Sequence, residues 1–129
     1  MKLSMTILIV ERNPIVALDL SEMILSRGFS RVFAVASNDE ARKVVDEEGV
    51  TTALLDLNLN NWQEGVAFAT HLIDQSNAKI IYLIGDETAV DLPKVMRTNP
   101  ISIIGKPFVD EEIVVAMRMA KSYCYDFLS

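Results

Sequence analysis

The sequence predicts an α/β domain in which helices cover both faces of a five-stranded parallel sheet. Two patterns predict it. Short unbroken apolar runs recur along the chain, and a stretch with helical spacing follows each of them. Runs rich in branched residues and lacking alternation mark strands buried on both faces, which is the habit of parallel sheets. Right-handed crossovers then distribute the helices over the two faces. The length of 129 residues fits one domain, residues 1–129, with a core large enough to stand without metal or disulfide.

The strand runs are Ile7 to Val10, Val32 to Ala36, Ala53 to Leu55, Ile80 to Ile84 and Ile101 to Ile104. Between the first two, Asn13 suits a helix N-cap and Pro14 a first helical turn, where a missing N–H is harmless. Val16, Leu20, Met23 and Ile24 fall on one face, and Gly28 ends the helix. Ser37 and Glu40 form a capping box for the second helix, with Ala41, Val44 and Val45 facing inward and Gly49 as the stop. Val66, Ala69, Leu72 and Ile73 mark the third. Pro93 interrupts the fourth pattern, which predicts a late start and a long connection after Ile84. Asp110, Glu111 and Glu112 suit the first turn of the last helix, which runs through Ile113, Met117, Ala120 and Cys124.

Bulk composition removes several functions. The net charge of −6 repels nucleic-acid phosphates, so direct DNA binding is excluded. Apolar runs of a few residues fall far below the ~20 that a membrane span needs. Met1 to Ser4 is too short a lead for a signal peptide. The single cysteine, Cys124, has no internal partner for a disulfide. The expectation is a cytoplasmic protein.

In such sheets ligands sit outside the carboxyl ends of the strands. Those ends carry Glu11-Arg12-Asn13, Asp56, Gly85 and Gly105-Lys106-Pro107. The turn Glu11-Arg12-Asn13-Pro14 lacks the glycine that dinucleotide or flavin phosphates require. Charged residues converging on one edge are the main functional signal.

These residues resemble the receiver domains of two-component response regulators, in Ile7 to Leu20, Ala53 to Leu59 and Gly105 to Phe108. The joint spacing of Glu11-Arg12, Asp56 and Lys106-Pro107 carries the resemblance. It implies a flavodoxin-like strand order, 2-1-3-4-5. Asp56 matches the phosphoacceptor, whose carboxylate attacks phosphorus to give an acyl phosphate. Lys106 matches the lysine that contacts the phosphoryl oxygens, and the bond to Pro107 is expected to be cis. Glu11 matches the first acid of a pair. Mg²⁺, the cofactor the resemblance implies, would draw on Glu11, Asp56 and the backbone carbonyl of Asn58.

Three positions depart from the pattern. Arg12 replaces the second acid, and arginine has no lone pair for a metal, so the Mg²⁺ site is expected to be weak or absent. Its guanidinium either pairs with Asp56 in the metal's place or points into solvent. Ile84 replaces the Thr or Ser that bonds the phosphoryl group. Ile103 replaces a swinging aromatic, and a β-branched residue there is stiff. The usual two-part switch is missing.

Two functions follow. One is a receiver accepting phosphate on Asp56 from a histidine kinase or phosphotransfer protein, with impaired switching. The other is a phosphorylation-independent interaction or dimerisation module. A phosphatase with an aspartyl-phosphate intermediate would want an acid where Asn58 stands. Val115 and Met119 form a second apolar face on the last helix, with Tyr123, Tyr125 and Phe127 near its end. This face suits a homodimer through the fourth helix, fifth strand and fifth helix. His71 reads as a surface histidine and Cys124 as a small packed residue. Trp62, in the loop after Asp56, either anchors a partner or packs over the third helix.

Overall fold

A computed structural model describes residues 5–57, 61–85 and 89–125. Five parallel strands, β1 (Thr6–Val10), β2 (Arg31–Val35), β3 (Thr52–Asp56), β4 (Lys79–Ile84) and β5 (Ser102–Gly105), lie in the order β2-β1-β3-β4-β5. The helices α1 (Pro14–Ser26), α2 (Asn38–Glu48), α3 (Trp62–Ser76), α4 (Leu92–Met96) and α5 (Asp110–Tyr125) alternate with them. This is the predicted architecture and strand order.

Strand residues divide by parity between two cores. Leu8, Val10, Ala53, Leu55, Ile80, Tyr82 and Ile84 pack with α2, α3 and α4 through Ala41, Phe68, Leu72 and Val95. Ile7, Ile9, Leu54, Ile81, Leu83 and Ile104 pack with α1 and α5 through Leu20, Ile24, Ile113 and Met117. A fully buried Leu or Ile in either layer contributes about 2 kcal/mol. β1 and β3 are buried along their whole length, as the unbroken runs required. β2 corrects the expectation of burial on both faces. It is an edge strand, so Ala34 is exposed and Val32, Phe33 and Val35 are only half-buried.

The caps follow the sequence. Asn13 Oδ1 accepts from the Ile15 and Val16 N–H groups at 2.9 and 3.4 Å. Ser37 Oγ accepts from Glu40 N at 3.2 Å, while Glu40 Oε2 reaches back to Ala36 N at 3.1 Å. Two local expectations need correction. The late start of α4 and the long connection after Ile84 hold, with the helix beginning at Leu92, but Pro93 does not interrupt it: it stands in the first turn behind the N-cap Asp91, where proline's fixed φ suits a helix start. Trp62 is not a loop residue. Asn61 accepts from Glu64 N at 2.9 Å and starts α3 at Trp62, whose half-buried ring packs against the core.

Gly65 has a steric role. A Cβ there would lie 2.7 Å from Leu57 Cδ2, so glycine lets α3 approach the residue that follows Asp56.

Candidate functional site

Four chain segments end together at the carboxyl edge of the sheet. Glu11 N donates to Val35 O at 3.0 Å, one residue beyond β1. Asp56 closes β3 opposite Leu83, and Leu57 N donates to Leu83 O at 3.0 Å. Ile84 pairs with Gly105, and Lys106 N donates to Ile84 O at 2.8 Å. The strand ladders thus fix the backbone on which each side chain stands.

Lys106 joins the two acids. Its Nζ hydrogen-bonds Glu11 Oε1 and lies 3.1 Å from Asp56 Oδ2. The carboxylates are nearly buried, with side-chain exposures of 1% for Glu11 and 4% for Asp56. Glu11 Oε2 also accepts from Asn13 N at 3.1 Å, which ties the pocket to the cap of α1. Two buried carboxylates facing one ammonium leave an excess of negative charge. Burial, followed by the neighbouring Asp56 carboxyl, raises the Glu11 pKa, although Lys106 and the Asn13 N–H pull it down. Burial pulls the Lys106 pKa down, but its hydrogen bonds to Glu11 and Asp56 outweigh that and raise it.

Arg12 is exposed beside Glu11. Lys106 stands at Asp56, as the resemblance implied. Asn58 lies outside the described residues. The Lys106–Pro107 bond is cis, as expected. Ile84 is 1% exposed and belongs to the core, and Ile103 packs against the same cluster. An open cleft of about 930 Å³ runs from Gly85, Lys106 and Pro107 along α1, past Val16, Met23 and Phe108.

Among the described residues the donor set is short of what Mg²⁺ needs. Two carboxylates are present, both already on the Lys106 ammonium, and the next residue is a cation. Among the described residues no group of three or more His, Cys, Asp or Glu can hold a metal. Near-octahedral oxygen coordination is therefore not assembled by them.

A family model described as the response regulator receiver domain matches residues 7–118. The chain belongs to this family. Receiver domains are regulatory phosphoacceptors that interact with histidine kinases or phosphotransfer proteins and typically bind Mg²⁺. The receiver is 26% identical over 112 residues to the aerobic respiration control protein ArcA of Escherichia coli (strain K12), covering 87% of this chain and 46% of that protein. It therefore spans about half the length of the curated relatives it matches. The receiver domain of the TMAO respiratory system response regulator TorR superposes with a TM-score of 0.81 at 24% identity, covering 93% of this chain and 98% of that one. The signal receiver domain of an HD domain-containing protein from Pseudomonas fluorescens Pf-5 gives 0.82 at 19% identity, covering 95% and 98%. These likenesses establish the fold.

The remaining sequence candidates are placed away from the pocket edge. His71 is exposed on α3, its ring 6.5 Å from that of Phe68. Cys124 is half-buried, and burial raises its thiol pKa. Val115, Met119 and Tyr123 are exposed on α5, with Lys79 Nζ 4.9 Å from the Tyr123 ring centroid. No described helix is long and apolar enough to cross a membrane. The direct contact between Glu11 and Lys106, and the role of the Asn13 N–H, were missed in the sequence. The first joins residues 95 positions apart, which no local pattern links; the second spans two positions, and the side chain of Asn13 was read only as a helix cap.

Proposed function

We propose that this receiver accepts a phosphoryl group on Asp56 from a histidine kinase or phosphotransfer protein, with little dependence on Mg²⁺ and without the usual hydroxyl-and-aromatic switch. The supporting observation is Lys106 Nζ 3.1 Å from Asp56 Oδ2 at the carboxyl edge of the sheet. An Asp56 carboxylate oxygen attacks phosphorus, the phosphorus–nitrogen bond of the donor phosphohistidine breaks, and an acyl phosphate forms. The imidazole leaves with its bonding electron pair and takes up a proton. Lys106, cationic at neutral pH, meets the developing charge on the phosphoryl oxygens. Glu11 and Pro107 hold the lysine in place, and Arg12 adds positive charge at the rim.

The domain acts as one unit over residues 1–129 in the cytoplasm, and presents α4, β5 and α5 to its partners. A shallow cleft of about 330 Å³ beside Ile103, Val115 and Met119, with both α5 side chains exposed, supports a homodimer on this face.

Incubation with a small phosphodonor, with and without Mg²⁺, followed by intact mass, tests the proposal. A phosphate adduct lost in Asp56→Asn is expected. Its absence under both conditions overturns the phosphoacceptor reading. It would favour the phosphorylation-independent interaction module, which the buried Ile84 and the packed Ile103 support.

A further inference from the structure

α4 has little of its own to hold it. Leu92–Met96 is barely more than one turn, far below the length at which an isolated helix persists in water. Asp91 closes its start, accepting from Lys94 N at 3.3 Å. Its other end is closed by the Thr98 and Asn99 N–H groups, which donate to Val95 O at 3.2 Å and Met96 O at 2.9 Å, and side chains tie it to the sheet. Tyr82, fully buried in β4, carries its hydroxyl to within 2.7 Å of Thr98 Oγ1. The single hydroxyl hydrogen of Thr98 goes to Val95 O at 2.8 Å. Tyr82 is therefore the donor of the first bond. The series runs one way, from the Tyr82 O–H to Thr98 Oγ1 and from the Thr98 O–H to the Val95 carbonyl. That carbonyl lies at the helix end, where it also accepts from the Thr98 N–H at 3.2 Å. Aligned hydrogen bonds of this kind strengthen one another. Burial raises the Tyr82 pKa, so the phenol keeps its proton.

Apolar packing on the same side completes the attachment. Ile84, two residues on from Tyr82 and on the same face of β4, lies in one cluster with Tyr82 and Val95. Val90, Leu92 and Ile103 pack against that cluster. Neither Ile84 nor Ile103 offers a polar group that could sense charge at Asp56.

We propose that the Tyr82–Thr98 pair is a latch that fixes α4 in one arrangement against the sheet, independent of the charge carried at Asp56. The α4 surface is then preformed, and release of the latch, not chemistry at Asp56, frees it. This inference stands apart from the phosphoacceptor reading, because the latch operates in the unphosphorylated chain.

Hydrogen–deuterium exchange of the full chain, followed in the peptide spanning 90–101, tests it. Tyr82→Phe keeps the ring and removes the donor. Exchange in this peptide should rise about three- to tenfold, with β1 and β3 peptides at the wild-type rate. Thr98→Val breaks the same series from its more accessible end and should match. The double variant should exceed neither single one, because both remove the same bonds. Asp56→Asn should leave the peptide at the wild-type rate. The proposal is overturned if Thr98→Val leaves exchange of 90–101 unchanged, or if Asp56→Asn alone raises it threefold or more. Should Tyr82→Phe lose its fold, Thr98→Val decides the matter.

Discussion

The Nζ of Lys106 lies 3.1 Å from Oδ2 of Asp56, across 50 positions of sequence, and the same ammonium holds Glu11. The candidate site is thus a buried acid pair closed by one lysine. Removing the lysine should be costly. Lys106→Met removes the ammonium that the two carboxylates share and is expected to destabilise the domain by about 2 kcal/mol at pH 7. The loss should shrink toward pH 4, where Glu11, its pKa raised by burial, takes up a proton. Urea unfolding at both pH values measures this, and an equal loss at each would contradict it.

Glu11 sets a pH dependence of definite sign. Its folded pKa is raised above 4.5, so the folded chain holds this proton more tightly than the unfolded one. Stability from this group is therefore present at low pH and falls as pH rises past 4.5. Glu11→Gln removes that fall. The stability of the variant relative to wild type should rise between pH 4 and pH 7, as read by thermal unfolding across a pH series.

Lys106 acts on the alkaline side. Its folded pKa is raised above 10.5, so its contribution is complete below that value and is lost as pH climbs through the folded pKa. Wild type should lose stability above pH 10.5 more steeply than Lys106→Met. Parallel alkaline unfolding curves for the two proteins would refute the assignment.

Ile84 is a core residue at a functional address. Its side chain is 1% exposed among Tyr82 and Val95. Ile84→Thr places a hydroxyl in that apolar layer and removes packing volume, at an expected cost of about 2 kcal/mol. A variant as stable as wild type in urea would mean that the hydroxyl finds a partner on the pocket side.

Gly65 allows the close approach of α3 to Leu57. Gly65→Ala gains about 1 kcal/mol of helix propensity but must displace the buried Leu57 side chain 2.7 Å away. Overpacking at a buried site costs about 2 kcal/mol, so a net loss near 1 kcal/mol is expected from urea unfolding. The fluorescence of Trp62, the single tryptophan, reports on the same corner of α3.

Much of this receiver was determined by sequence alone, wherever the information is local. Unbroken runs such as Ile7 to Val10 and Ile80 to Ile84 set the strands, because burial on both faces leaves no room for polar alternation. Asn13, Ser37 and the acids at the start of α5 set helix boundaries, because caps act within one turn. Spacing and resemblance together named Glu11, Asp56 and Lys106. The tertiary structure decided what depends on distant partners. Edge position exposes Ala34 in β2, capping by Asn61 and Asp91 carries Trp62 and Pro93 into helices, and only the folded sheet brings Tyr82 to Thr98. It also brought the Lys106 ammonium to both Glu11 and Asp56, a matter of side-chain reach between segments that are distant in the chain, which no local pattern encodes.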